Sequence, residues 1–466
     1  MKKNDEPSRN TPERPSDGQK QNKLGVMPVG PLLVSMALPM MVSFFIQAMY
    51  NIVDSIFVAR ISEEALTAVS LAFPAQQIMN AIAIGTGVGI SALIPRYIGM
   101  NDQERADTVA NTGIFLNLCH IIVFVLLGFF MTKPFYEMQT TVPQIAQGGI
   151  TYLRICLIIC MGNFFGIYFE KMLTGTGNAT MAMIAQGSGA VFNIIFDPLL
   201  IFGIGPFPRM GIAGAALATV LGQVLAAFIA FMLCMKRNPW IHISVRDIFK
   251  PAWNATREIY GIGIPSMITI GLTSVSSFLI NQILLGYSTT ATAVYGIWMK
   301  LQNFCFMPAF GMNNGMIPIL SYNYGTGNLN RVKKTLRYAL TSILMLMITL
   351  TLILEVETGT ILTLFSASDN MREIGMHALR ICVLSLTFGG GNIILSSSMQ
   401  ALRHARFTLI MNVLRNLIIL TGAFMLLSLM FHDLTMLWFA VPFNEGVVFV
   451  IAVILYRKMR RHLVAR

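Results

Sequence analysis

The chain has 466 residues, of which 55% are hydrophobic and only 12% charged, whereas soluble domains carry about 25% charged residues. That deficit excludes a water-exposed globule and points to a polytopic membrane protein. The formal net charge of +12 does not indicate a nucleic-acid partner, because the basic residues sit between apolar segments rather than along one groove or helix face.

In chain order, residues 1–26 are hydrophilic and lack the apolar core of a signal peptide, so they read as a disordered cytoplasmic tail. Twelve apolar spans follow, centred near residues 45, 80, 120, 157, 192, 223, 271, 305, 345, 386, 419 and 446. A membrane crossing needs about 20 such residues. Spans 1–6 make an N-terminal six-helix bundle over residues 27–235. Residues 236–258, with two prolines and five basic residues, form a cytoplasmic linker. Spans 7–12 make a C-terminal bundle over 259–457, and 458–466 is a basic cytoplasmic tail. The expected fold is therefore an all-α membrane protein, with twelve transmembrane helices in two pseudo-symmetric six-helix bundles around a central cavity.

With both termini placed in the cytoplasm, 25 of the 33 Lys and Arg residues lie on the inner side, four in outer loops and four within spans. Cytoplasmic segments of membrane proteins are enriched in this way, which sets the expected orientation. The six cysteines all fall inside spans with neither a CxxC nor a Cys/His metal spacing, so no disulfide framework or zinc site is expected.

The chain also repeats itself. A shift of 226 residues aligns Pro39 with Pro265, Gln76 with Gln302, Gly85 with Gly311, Gly89 with Gly315, Gly99 with Gly325, Arg105 with Arg331, and residues 153–156 with 379–382. Six spans per repeat is an even number, so both halves enter the membrane in the same direction. Such parallel repeats face each other in transporters, where rocking one against the other alternates access to a central cavity.

An ionisable side chain within a span costs about 2.5–3.5 kcal/mol to insert, so each is a candidate functional group. Asp54 lies toward the outer end of span 1, Glu170 at the inner end of span 4, Asp197 in span 5 and Glu445 in span 12. Lys300 lies in span 8, Arg415 in span 11, and Arg154 and Arg380 at equivalent places in spans 4 and 10. Asp197 precedes Pro198, which frees a carbonyl near Asn193, and Asn193 and Asp197 share a helix face. Together with Asp54 they would form an oxygen-rich cluster able to hold a proton or a hard cation such as Na⁺. The competing reading leaves Asp54 interfacial and Asp197 as a cap on a broken helix.

The remaining candidates each carry a structural alternative. Glu170 is either a cavity acid or a partner for Lys171. Glu445 either draws cations or pairs with Arg415 or Lys300, and Lys300 is either an internal charge partner or a snorkelling residue. Arg154 and Arg380 read as structural pins. Thirty-two Met and 31 Phe residues, including Phe306 and Met307, suit an adaptable pocket for flat lipophilic cations and equally suit a lipid face. The glycines of 85–89 lack the Lys-Ser/Thr of a nucleotide loop, and close helix packing is the better reading.

Asn193-Ile-Ile-Phe-Asp197-Pro198, followed by residues 211–219 ending in Thr219, resembles the signature of the multidrug and toxic compound extrusion (MATE) family. Residues 53–57 around Asp54 resemble its span-1 motif, and Pro39 and Pro95 fall where the family places prolines. The resemblance covers residues 30–460, and Glu170 in Tyr168-Phe169-Glu170 suggests the MepA-like branch. It implies a coupling-ion site of Asp54, Asn193, Asp197 and Thr219, holding H⁺ or, at the first three, Na⁺. It also implies a substrate cavity served by Glu170. Beside that resemblance, Glu445, Gln76, Gln302, Asn314, Phe306 and Met307 are further substrate-binding candidates. Two departures stand out: span 7 lacks a carboxylate beyond its inner edge, and Asn314 stands where this branch would place an acid, which argues against a second ion site.

The expected activity is secondary active efflux of small lipophilic, mostly cationic compounds from a prokaryotic inner membrane, in antiport with H⁺ or Na⁺. No cofactor, nucleic-acid partner or catalytic constellation is expected, membrane lipids surround the protein, and it would act as a monomer. The alternative is a flippase for lipid-linked precursors, which would need a cavity lined by several basic residues.

Overall fold

The computed structural model describes residues 22–364, 369–431 and 433–464. Among them there is no strand, as a hydrocarbon surround requires when every backbone group must bond within its own segment. The spans are 1 (Val29–Ala59), 2 (Glu63–Gly99), 3 (Gln103–Phe130), 5 (Ala179–Phe202), 6 (Ile212–Arg237), 7 (Trp253–Leu285), 8 (Thr289–Gly325), 9 (Leu329–Val356) and 12 (Ala440–Val464). Spans 4 and 10 are bent pairs, Pro143–Ile158 with Met161–Gly175 and Asp369–Val383 with Ser385–Ala401, turning 45° and 41°. Span 11 runs Ala405–Phe431 and includes a π-helical stretch, Leu414–Ile419. The twelve spans form two bundles, as the repeat implies.

The repeat extends to local geometry. Spans 2 and 8 are each 37 residues and start 226 apart, and both begin with a serine, Ser62 and Ser288, accepting from the third backbone N–H of its helix. Asp102 and Asn328 cap spans 3 and 9 in the same register. These caps satisfy donors that a helix start leaves without partners. The turn after span 2 puts Asn101 in the left-handed region, where its equivalent is Gly327; the turn after span 4 uses Gly177, where the equivalent after span 10 is Arg403 at φ 66°. Glycine enters that region without penalty and arginine does not.

The bundles cross-pack, span 2 against span 7 and span 8 against span 1. A Cβ on Gly89 would lie 2.6 Å from the Ile259 carbonyl oxygen, and one on its equivalent Gly315 would lie 2.6 Å from the Ala37 nitrogen. Gly99 and Gly325 likewise lie against the backbones of Tyr322 and Arg96. All these contacts are in the halves of the spans nearest the described chain ends, here termed the terminal face. There Glu258 of span 7 accepts from the Tyr97 hydroxyl of span 2 and, at 2.6 Å, from Arg403. The bundles are therefore locked together at the terminal face.

Several segment boundaries differ from expectation. Of the tail, residues 1–21 lie outside the described residues, but 22–26 are ordered: Lys23–Val26 is a helical turn with Leu24 buried. Asn22 donates to the Thr176 carbonyl at 3.2 Å, while the Leu24 and Met27 carbonyls accept from Arg331 at 3.2 and 2.7 Å. One buried leucine amid polar residues leaves little periodicity for the sequence to reveal. The linker is shorter than 236–258, since span 6 continues to Arg237 and span 7 begins at Trp253. What lies between is pinned to span 3, where Asn111 accepts from Ser244 N–H at 3.0 Å and Asp107 accepts from His242 N–H at 2.8 Å. Residues 458–464 continue the helix of span 12.

Because the close contacts are backbone against backbone, Gly89→Ala and Gly315→Ala should each destabilise the purified protein by about 1–3 kcal/mol, the usual cost of overpacking. Gly271→Ala, where no atom lies within 4 Å, should instead be neutral or stabilise by about 0.5–1 kcal/mol. Thermal unfolding of the three variants checks this, and equal midpoints would refute the glycine contact.

Candidate functional site

A cavity of about 890 Å³ lies inside the N-terminal bundle, reached by residues of spans 1, 2, 4, 5 and 6 and by Ile270 of span 7. Asp54, Asn193, Thr219, Glu170 and Gln76 all line it. Among the described residues the lining holds two acids and no Lys or Arg. Span 5 passes through Pro198 as one helix, so Asp197 is not the cap of a broken segment; it is fully buried, one turn beyond Asn193 of the cavity wall. Its carboxylate faces that of Asp54 within hydrogen-bonding reach.

The Asn193 amide links this acid to span 6. With its nitrogen donating to Asp197 Oδ2 at 3.2 Å, its oxygen accepts from the Thr219 hydroxyl at 3.3 Å. The i, i+4 spacing of Asn193 and Asp197 produces this, as expected for residues sharing a helix face. Asp54 Oδ1 is buried and has no hydrogen-bond partner among the described residues. Two facing carboxylates in a low-dielectric setting repel unless a positive charge, a proton or a cation, lies between them. The four predicted ion-site residues thus form one oxygen-donor cluster suited to that charge.

Glu170 is buried at the same cavity and paired with Lys171, whose Nζ lies 3.1 Å from Glu170 Oε1 and donates to Asn314 Oδ1 of span 8 at 2.6 Å. One of the 25 cations that the sequence assigns to the inner side is Lys171, yet it is buried within span 4 and joins the two bundles. Gln76 donates to Cys156 Sγ at 3.6 Å. The sequence reading missed several polar lining residues. Asn163 donates to Asn80 at 3.0 Å across the cavity, and the Tyr50 phenol lies beside Asp54 and Asp197. Their signal was an amide or phenol within an otherwise apolar span, which an inventory limited to ionisable groups passes over.

The C-terminal bundle differs. Glu445 is not a free cation attractor: Arg415 Nε donates to its two oxygens at 2.8 and 3.0 Å, and Asn392 donates to Oε2 at 2.7 Å. The Arg415 guanidinium also lies 5.8 Å from the centre of the buried Phe306 ring. Arg415 lies within the π-helical stretch of span 11. Lys300 is exposed on span 8 rather than facing Glu445, and Gln302 and Met307 are half-buried. Glu445, Gln302, Asn314, Phe306 and Met307 are all absent from the N-terminal cavity lining. Arg380 pairs with Glu355 at 3.9 Å on an exposed surface, too loose and solvated to pin much, and Arg154 is exposed. All six cysteines are free.

Comparison with known proteins agrees with this architecture. A family model described as MatE matches residues 39–199 and again 265–425, two segments displaced by the same 226 residues. The chain is 26% identical over 397 residues to a Shewanella oneidensis protein named FAD transporter, covering 83% of this chain and 86% of that one. It is 25% identical over 404 residues to multidrug export protein MepA of Staphylococcus haemolyticus, covering 85% and 87%. A solved structure described as the outward-facing conformation of a multidrug resistance MATE family transporter superposes with a TM-score of 0.89 at 26% identity, covering 96% of this chain and 99% of that one. A Pyrococcus furiosus transporter of the MOP superfamily, described as having a binding pocket of reverse polarity that suggests a different function, gives 0.88 at 25%, covering 95% and 98%. With two family matches in register, twelve spans and a polar cavity within a bundle, the chain belongs to the MatE family of multi-pass membrane transporters, of the MepA type, and is a transporter rather than an enzyme.

Proposed function

We propose that this transporter exports small lipophilic cations in antiport with H⁺, or with Na⁺ as the alternative ion, acting as a monomer in a prokaryotic inner membrane with both termini cytoplasmic. The observation that carries the reading is a cavity lined by two acids and no base, one of which, Asp54, faces the carboxylate of the buried Asp197. In this orientation the locked terminal face is cytoplasmic, and the structure represents the state that releases substrate outward. A positive charge entering between Asp54 and Asp197 removes their repulsion and reorganises the Asn193–Thr219 bridge between spans 5 and 6. Export then requires that the ion and the substrate favour different states, because a ligand bound equally by both shifts neither. Glu170 holds the cationic substrate once its charge displaces the Lys171 ammonium.

The flippase reading needs basic residues around the cavity, and the lining offers none among the described residues. A second reading, export of planar anions, is favoured by the relative named FAD transporter and by Arg415 lying over Phe306 in the other bundle.

Ethidium and FAD transport by inverted vesicles, with proton and sodium gradients imposed separately, distinguishes these readings. Ethidium uptake driven by one ion and no FAD uptake is expected. Asp197→Asn and Asp54→Asn should each reduce ethidium uptake to the level of vesicles lacking the protein while leaving its amount in the membrane unchanged; normal uptake in both would overturn the ion site. Glu170→Gln should weaken transport of dications more than of monocations. Equal losses for every substrate would assign Glu170 a purely structural role.

A further inference from the structure

A second cavity, of about 660 Å³, lies at the terminal face, where the two bundles and the linker meet. Its walls are Tyr97, Arg105 and Thr108 of spans 2 and 3, Arg257 and Glu258 of span 7, and Arg403 between spans 10 and 11. Three arginines thus face one acid, and that acid is already taken by Arg403 and Tyr97. Arg105 has an exposed contact to Asp102 at 3.3 Å, which solvent largely screens, and its guanidinium lies 5.9 Å from the centre of the Tyr97 ring. Behind the cleft, Arg96 stacks 5.1 Å from the Tyr324 ring centre, lies in the field of Arg403, and leaves its buried Nη1 without a partner among the described residues. The cleft therefore has an excess of guanidinium groups, which favour phosphate.

The neighbouring linker indicates where such a phosphate comes from. Val245, Phe249 and Trp253 are all strongly exposed, and Arg246, Lys250 and Arg257 are interleaved with them. Apolar and aromatic side chains alternating with cations at the end of a membrane span are the pattern of a segment lying in the headgroup layer. Trp253 opens span 7 one turn before Arg257, so the mouth of the cleft lies at headgroup level.

We propose that this cleft binds the phosphate headgroup of an anionic phospholipid and that the lipid clamps the bundles together at the terminal face. Because spans 2 and 3 supply one wall, and span 7 and the turn carrying Arg403 the other, the site is complete only while that face is closed. A lipid bound there stabilises the closed arrangement by its differential affinity for the two states.

The test uses purified full-length protein in detergent, with bound lipid counted by native mass spectrometry. Phosphatidylglycerol should bind in preference to phosphatidylcholine and raise the thermal unfolding midpoint. The paired variant Arg105→Gln/Arg257→Gln leaves the Glu258–Arg403 contact intact and should bind phosphatidylglycerol about 30-fold more weakly, each arginine near a headgroup surface contributing roughly a factor of five. Lys333→Gln/Lys334→Gln removes the same charge from exposed positions of span 9 at the same face and should bind as the unaltered protein does. Unchanged binding in the arginine pair, or an equal loss in the lysine pair, overturns the cleft. Full competition by equimolar glycerol 3-phosphate overturns the lipid as its occupant.

Discussion

Two carboxylates facing each other inside a membrane-spanning bundle set the terms for everything around them. Asp54 comes from span 1 and Asp197 from span 5, so their proximity ties the position of two helices to the charge between them. The chain surrounds the pair with neutral oxygen and nitrogen groups, Asn193, Thr219 and the Tyr50 phenol, rather than with a fixed cation. In the other bundle the buried acid Glu445 has a permanent partner in Arg415. One acid pair has no fixed basic partner, and the other acid has one. The shared scaffold thus carries two bundle interiors of different charge balance, and the proposed ion exchange belongs to the N-terminal one.

The scaffold itself is symmetric where the bundles touch. Serine caps, left-handed turns, mid-span bends and contact glycines recur at the same offset, because each bundle presents its second helix to the other's first. Backbone approach at Gly89 and Gly315 gives two matching pivots, and interiors that differ in charge are free to diverge so long as these contacts are kept. Small residues at helix crossings do this commonly in membranes, where packing replaces the hydrophobic effect as the attraction between helices.

Much of this was legible in the sequence. Apolar length located the spans, the 226-residue offset identified the repeat, and the spacing of Asn193 and Asp197 ahead of Pro198 placed those two side chains on one helix face, all because these signals are local. What escaped depended on contacts between distant segments. Glu445 had two candidate basic partners, and tertiary packing decides between them by leaving Lys300 exposed and setting Arg415 beside the acid. Lys171 reads identically whether it snorkels outward or turns inward to Asn314. The bends in spans 4 and 10 have no proline at the break, so nothing in the local chemistry announces them. The ordered turn at Leu24 depends on Arg331, more than 300 positions away.

The turn at Arg403 has a mechanical consequence. Its counterpart in the first repeat is Gly177, which occupies left-handed backbone freely, whereas an L-residue there is strained by about 1–2 kcal/mol. The conformation is held within the turn itself, the Arg403 N–H donating to the Gln400 carbonyl and that of His404 to the Met399 carbonyl, so the strain belongs to the C-terminal bundle alone. The same residue reaches Glu258, which also accepts from Tyr97 of the opposite bundle. A glycine would relax this turn and leave the contact without its guanidinium, so the second repeat carries backbone strain at the position from which it holds the first.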